Sequence, residues 1–136
     1  MNDPRLPDDV QELVTRLFGY AREGGAEAAA QLAGYIDNGV DVDIMNQDGN
    51  TLVMLAAYNG HTDVLGVLLD RGGDVNRLND RNQSPLAGAV FKKEDAVIDL
   101  LMDHGADPLA GRPSALDTAV MFERPDLVAR FESERQ

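Results

Sequence analysis

The clearest local pattern in the chain is a helical spacing of apolar residues near its start. Between Asp9 and Arg22 the apolar side chains recur at steps of three and four residues: Val10, Leu13, Val14, Leu17, Phe18 and Ala21. This spacing gathers them on one face of an α-helix, which must then pack against a neighbouring element. Asp8 or Asp9 can cap the start of this helix.

A second helix is predicted from Gly25 to Asn38. The segment is rich in alanine, and Leu32, Tyr35 and Ile36 are expected to face inward. The dipeptide Asn38-Gly39 supplies a helix end that tolerates a positive φ. At the other end of the chain, a final helix is predicted over Pro125 to Glu132.

Between these segments the sequence repeats itself. Much of Asp48 to Asn76 recurs 33 residues later, in Arg81 to Leu109, with Thr51 aligned on Ser84, Ala56 on Ala89, Val64 on Val97, Gly72 on Gly105 and Asp74 on Asp107. The match weakens upstream, and downstream the offset falls to 30 residues. A period of this length predicts a protein of stacked repeats.

The two central copies resemble the ankyrin repeat, in which a turn precedes two antiparallel helices. The closing part of that repeat is matched by Leu68, Leu69, Gly72, Asp74, Val75 and Asn76. Its opening part fits at Thr51 and at Leu55-Ala56-Ala57, and Ser84-Pro85-Leu86 fits in the next copy. Leu52 departs from the proline usual in the family, and Lys93-Glu94 replaces the Gly60-His61 pair.

The resemblance implies an all-α solenoid of stacked helix-turn-helix units joined by β-turn or hairpin loops. We count four units in one domain spanning residues 1–136, with approximate bounds 9–45, 46–78, 79–111 and 112–136. Since no unit buries its own apolar face, stability should come from stacking, with the terminal units acting as caps.

Several residues are suited to starting the later helices. Thr51 and Ser84 can accept a hydrogen bond from a free amide of the first turn, and Pro85 suits the first helical position. Ser114 with Asp117 has the spacing of a capping box. These residues predict where the first helices of units two, three and four begin.

The composition excludes some functions. The net charge is -12, from 24 acidic and 12 basic residues. The negative electrostatic field of this charge repels nucleic acid and favours a partner with a basic surface. Alternatively, the charge only keeps the protein soluble. There is no cysteine, no apolar run long enough for a membrane span and no signal-like start, so we expect a soluble, cytoplasmic and monomeric protein without membrane contact.

The sequence predicts no catalytic, cofactor or metal site. His61 and His104 are expected to be structural or exposed, because neither has a second histidine at helical spacing. The acidic loop that starts at Asp41 fails as an EF-hand, since Leu52 occupies the twelfth position. We interpret its Asp and Asn residues as turn formers, and we expect the protein not to be an enzyme.

The resemblance also implies where a partner would bind. Ankyrin proteins generally bind other proteins through a concave face made of the turn tips and the ends of the first helices. The matching positions here are Gln47, Asp48, Asn50, Tyr58, Asn59, Asp80, Arg81, Gln83, Phe91, Lys92 and Phe122. In the fourth unit Met121 stands beside Phe122, and in the first unit Arg22 and Glu23 are the nearest equivalents. The connection before the fourth unit is shortened, so its turn is not expected among the binding residues.

Three functions follow as hypotheses. The first is a non-catalytic module that binds an unidentified protein, with Tyr58 and Phe91 as anchors. Alternatively, Phe91 and Phe122 fold back to cover neighbouring layers. The second is an inhibitor or immunity-type protein that neutralises a basic effector or enzyme. The third, less favoured, is an enzyme or metal-dependent protein that uses the acidic loops.

Overall fold

The computed structural model describes residues 8–134, which fold into α-helices joined by turns and loops. The helices are α1 (Asp8–Glu23), α2 (Ala26–Asp37), α3 (Leu52–Tyr58), α4 (Thr62–Asp70), α5 (Pro85–Phe91), α6 (Asp95–Asp103), α7 (Ala115–Met121) and α8 (Pro125–Ser133). The helices predicted over Asp9–Arg22, Gly25–Asn38 and Pro125–Glu132 are thus present, each within one residue at either end.

The helices form successive antiparallel pairs that stack along the chain. The first helices α1, α3, α5 and α7 pack in sequence against one another, and α2, α4 and α6 form a second row beside them. The buried core runs through all pairs, from Leu17 and Phe18 in α1 to Phe131 in α8. The predicted all-α solenoid is confirmed. Val10, placed on the apolar face by its spacing, is 37% exposed at the start of α1.

Hydroxyl caps start three of the first helices as predicted. The Oγ1 of Thr51 accepts a hydrogen bond from the Met54 amide at 3.1 Å, and the Oγ of Ser84 accepts one from the Ala87 amide at 3.0 Å. The Oγ of Ser114 accepts from the amide of Asp117 at 3.1 Å. Each cap satisfies an amide that the helix itself cannot pair.

The first helices also end alike, although the residues differ. Gly24 and Gly60 adopt positive φ angles of 71° and 76° after α1 and α3, and Lys93 and Glu123 do so at 60° and 54° after α5 and α7. Left-handed backbone is costly for a residue with a Cβ. Lys93 nevertheless adopts this conformation. The backbone after α5 therefore turns as it does at the glycines that follow α1 and α3.

The acidic loop residues accept hydrogen bonds from backbone amides, mostly within their own turns. Asp41, Asp74 and Asp107 each accept a hydrogen bond from the amide two residues further on, at 2.9 Å. Asp43 also accepts one from the Asp74 amide in the next unit, at 2.7 Å. In the loop that starts at Asp41, the prediction of turn-forming residues is confirmed by these bonds of Asp41 and by Asn46, whose Oδ1 accepts a hydrogen bond from the Asp48 amide at 3.0 Å.

The two histidines make structural contacts. His61 Nε2 lies 2.7 Å from the carbonyl oxygen of Arg22, which ties the second unit to the first. His104 follows α6, and its Nδ1 lies 3.0 Å from the carbonyl oxygen of Leu100 in that helix.

Ion pairs connect the second helices. Arg71 pairs with Asp37 at 2.9 Å, and Arg130 pairs with Asp99 at 2.6 Å. The hydrogen bond from Arg71 lowers the pKa of Asp37 below its ordinary value. Arg124 lowers the pKa of Asp126 in the same way. Part of the acidic surplus therefore serves contacts between units.

Within residues 8–134, no helix combines the length and apolar character that crossing a bilayer would require.

Candidate protein-binding groove

Three aromatic side chains are exposed at the ends of successive first helices. Tyr58 is the last residue of α3, Phe91 is the last residue of α5, and Phe122 follows α7. Their exposed fractions are 42%, 54% and 40%. Because the helices are stacked and end alike, residues distant in sequence come to lie side by side.

These rings line one groove, which we call the aromatic groove. Its volume is about 400 Å³, and its lining consists of Met54, Tyr58, Gln83, Ser84, Pro85, Ala87, Gly88, Phe91, Pro113, Thr118, Met121 and Phe122. Most of these side chains are apolar. A concave, mainly apolar surface with a few polar groups is the usual form of a binding site.

Contacts within the groove fix the rings. Phe91 and Phe122 meet edge to face, with ring centroids 5.6 Å apart. The Nζ of Lys92 lies 5.0 Å from the centroid of Tyr58, in a cation–π arrangement. A Cβ at Gly88 would lie 3.4 Å from the Cδ1 of Tyr58, so this ring packs beside Gly88. Phe122 partly covers a neighbouring layer, yet both phenyl rings stay exposed.

The other expected binding residues divide into two groups. Gln83 lines the groove, and its Oε1 accepts a hydrogen bond of 2.7 Å from the side chain of Asn79, which also donates to the Oδ1 of Asn50 at 2.8 Å. Outside the lining lie the exposed residues Gln47, Asp48, Asn59, Asp80 and Arg81. Asn50 is thus part of a network between turns, whereas these five residues are exposed, with the Nδ2 of Asn59 donating to the carbonyl oxygen of Leu55 at 2.8 Å.

The turns themselves are joined by backbone hydrogen bonds. The amide of Asp80 donates to the carbonyl oxygen of Asp48 at 3.0 Å, and the amide of Arg112 donates to the carbonyl oxygen of Asn82 at 2.8 Å. The three turns therefore form a continuous row.

Comparison with known proteins agrees with this architecture. The family profile described as "Ankyrin repeats (3 copies)" matches residues 17–111. The chain belongs to the ankyrin-repeat family. It is also 37% identical over 62 residues to the Pseudomonas aeruginosa protein "Putative ankyrin repeat protein PA3287", a match that covers 46% of this chain and 34% of that protein. The chain thus matches about a third of that relative's length.

Ankyrin repeats are generally protein–protein interaction modules and are typically not catalytic. In residues 8–134, no three His, Asp or Glu side chains are grouped as a metal ion would require.

The groove includes residues that the sequence predicted less firmly or missed. Met121, which is 63% exposed, is the last residue of α7, as Tyr58 and Phe91 are the last residues of α3 and α5. The 30-residue offset indicates this position. Pro113 also lines the groove, so the turn before α7, which the sequence did not place among the binding residues, contributes to it. Met54 and Thr118 were not identified, since both are largely buried and contribute only to its walls.

Proposed function

We propose that this chain is a non-catalytic module that binds a partner protein in the aromatic groove, with Tyr58 and Phe91 as anchors. The observation that supports it most is the gathering of three exposed rings and Met121 along one groove. The exposed residues of the turns, such as Gln47, Asp48 and Asp80, would contact the partner beside the groove and set specificity.

The distribution of aromatic residues supports this site. The chain has four phenylalanines and three tyrosines. Phe18 and Phe131 are fully buried, and Tyr20 and Tyr35 are half-buried, whereas all three exposed rings border the groove. Exposed apolar surface that is concentrated in one place is typical of an interaction site. Large, rigid aromatic side chains are also common anchors of binding energy.

The stacked scaffold supports preorganised binding. Phe91 is held by Phe122, and Tyr58 lies between Lys92 and Gly88. Side chains already held in place lose less conformational entropy on association. The groove should therefore bind without a large rearrangement of the helices.

Paired substitutions test this proposal. A partner captured with the wild-type protein should lose affinity by roughly tenfold or more when Tyr58 and Phe91 are both replaced by alanine, because such anchors each contribute about 1 kcal/mol or more. Leu109→Ala is the matched control, because Leu109 is an apolar residue of similar exposure, 46%, outside the groove lining. Circular dichroism checks the fold. Unchanged affinity in the double variant would refute the site.

A second proposal is the inhibitor hypothesis, in which the chain covers a basic effector. It is favoured by the net charge of -12 and by acidic residues on the exposed surface of the second helices, where Asp63, Asp103 and Glu132 are not part of any ion pair within residues 8–134. In that case affinity should fall steeply with salt and should respond to substitutions at these acidic residues. Salt-insensitive binding would count against it.

A further inference from the structure

Four cations border the groove of this acidic protein. Lys92 and Lys93 end α5 beside Phe91, Arg112 precedes Pro113 of the groove lining, and Arg81 lies two residues before Gln83. All four side chains are exposed. Cations therefore border the groove along both the helix ends and the turns.

Most other cations in residues 8–134 form ion pairs, the exceptions being Arg16 and Arg22 on α1. Arg71, Arg77, Arg124 and Arg130 each pair with a carboxylate. No ion pair within residues 8–134 involves the cations that border the groove. In a chain with twice as many acidic as basic residues, such cations remain available to a ligand.

The carboxylates around the groove restrict the orientation of a ligand. Asp117 lies on α7 next to Thr118, and Glu123 follows Phe122. Asp80 lies next to Arg81 on the turn before α5. Asp48 lies on the neighbouring turn, and the carboxylate of Glu94 lies against Gly60 after α3, so carboxylates are present at both ends of the groove. The adjacent Lys92 and Lys93 form no ion pair within residues 8–134, and Lys92 lies over Tyr58 at the α3–α5 end. An anionic group would be bound most favourably beside these two lysines.

We propose that the groove binds an acidic peptide segment of a partner protein. A bulky apolar side chain of the segment enters between Phe91, Met121 and Pro113, and its carboxylates contact Lys92 and Lys93 at the α3–α5 end. This inference rests on the proposed function and adds the chemistry of the partner. It opposes the basic partner surface that the net charge favours, because contacts at short range are governed by the local cations.

A random 12-residue peptide library displayed on phage tests this chemistry. Selection on the wild-type protein should enrich peptides that combine a large apolar residue with Asp or Glu. An enriched peptide, labelled with fluorescein, then gives affinities by fluorescence anisotropy at low salt. Lys92→Glu should weaken binding by roughly fivefold or more, and Lys92→Gln should weaken it less, because the contact is electrostatic.

Arg16→Glu is the charge-matched control. Arg16 is exposed on α1, bonds to the hydroxyl of Tyr35 and lies outside the groove lining, so its reversal should change affinity by less than about twofold, as expected for a distant screened charge.

Each contrary result has a distinct meaning. Enrichment of basic peptides, no enrichment, or unchanged affinity in Lys92→Glu would overturn this inference. If the enriched peptides are basic but Phe91→Ala abolishes their binding, only the acidic chemistry is wrong and the proposed function stands. If Phe91→Ala leaves affinity unchanged for an acidic peptide, the groove is not its site and both proposals fail. Denaturant unfolding of each variant shows that a loss of affinity is not a loss of folded protein.

Discussion

Phe91 and Phe122 meet edge to face across the boundary between the third and fourth helix pairs, with ring centroids 5.6 Å apart and an interplanar angle of 76°. The two residues lie at the ends of α5 and α7, so their contact depends on correct stacking of these helices. It also forms one wall of the aromatic groove. The contact therefore links the stability of the last unit to the shape of the proposed site.

A double-mutant cycle should detect this link. Phe91→Ala and Phe122→Ala should each lower the unfolding free energy, and the loss in the double variant should be smaller than the sum of the two single losses. The difference, the coupling energy, should be about 0.5–1 kcal/mol because both rings are partly exposed. Urea unfolding measures the three variants. Phe122→Ala combined with Val10→Ala, at the opposite end of the stack, should be additive. Additivity for the phenyl pair would contradict the contact.

The hydroxyl caps should be measurable one at a time. Thr51→Ala removes the acceptor for the buried Met54 amide and should cost about 1–2 kcal/mol of unfolding free energy. Thr62→Ala is the control, since Thr62 is the exposed first residue of α4 and caps no amide; its effect should stay within about 0.5 kcal/mol. Equal effects in chemical denaturation would argue against the cap.

The left-handed residue after α5 predicts a stabilising substitution. Lys93→Gly should raise the unfolding free energy by up to about 1 kcal/mol, because glycine relieves the cost of a Cβ at a φ of 60° and this gain exceeds the added entropy of the unfolded chain. Lys92→Gly should instead destabilise the protein, since Lys92 has an ordinary φ of -85°. Thermal and urea unfolding compare the two. Destabilisation by both would show that Lys93 does not adopt this backbone conformation.

The ion pair between Asp37 and Arg71 predicts a pH dependence. Arg71 lowers the pKa of Asp37, so the stabilisation is complete above the ordinary carboxyl pKa and is lost as the pH falls through the lowered value. The stability difference between wild type and Arg71→Gln should therefore shrink in acid. NMR titration of the Asp37 carboxyl group should give a higher pKa in Arg71→Gln than in wild type. Equal pKa values would mean that the pair does not form in solution.

The sequence predicted the scaffold well because the scaffold is local and periodic. Apolar spacing located α1, Thr51 and Ser84 marked helix starts, and the 33-residue offset aligned Tyr58 with Phe91. Lys93 departs from the repeat, because it replaces the glycine that follows the first helix in the preceding unit. The structure retains the left-handed turn there, because the stacking of α5 determines the backbone more strongly than the preference of one residue.

The groove itself could be predicted only in part. Tyr58, Phe91 and Phe122 follow from the repeat, but the edge-to-face contact of the phenyl rings depends on the exact stacking of α7 on α5. Pro113 enters the groove from a connection of different length, whose path no repeat pattern specifies. The pairing of Asn79 with Asn50 and Gln83 is likewise a contact between turns that are distant in sequence.

Methionine methyl NMR tests the central claim, occupancy of the aromatic groove, most directly. Met54 and Met121 line the groove, whereas Met102 lies on α6 and Met45, which is 48% exposed, lies outside the lining. Protein labelled with ¹³C at these methyl groups is titrated with the bound peptide or the captured partner. We predict that the Met121 resonance shifts strongly while that of Met102 does not. A shift at Met102 or Met45 with Met121 unchanged would contradict the account.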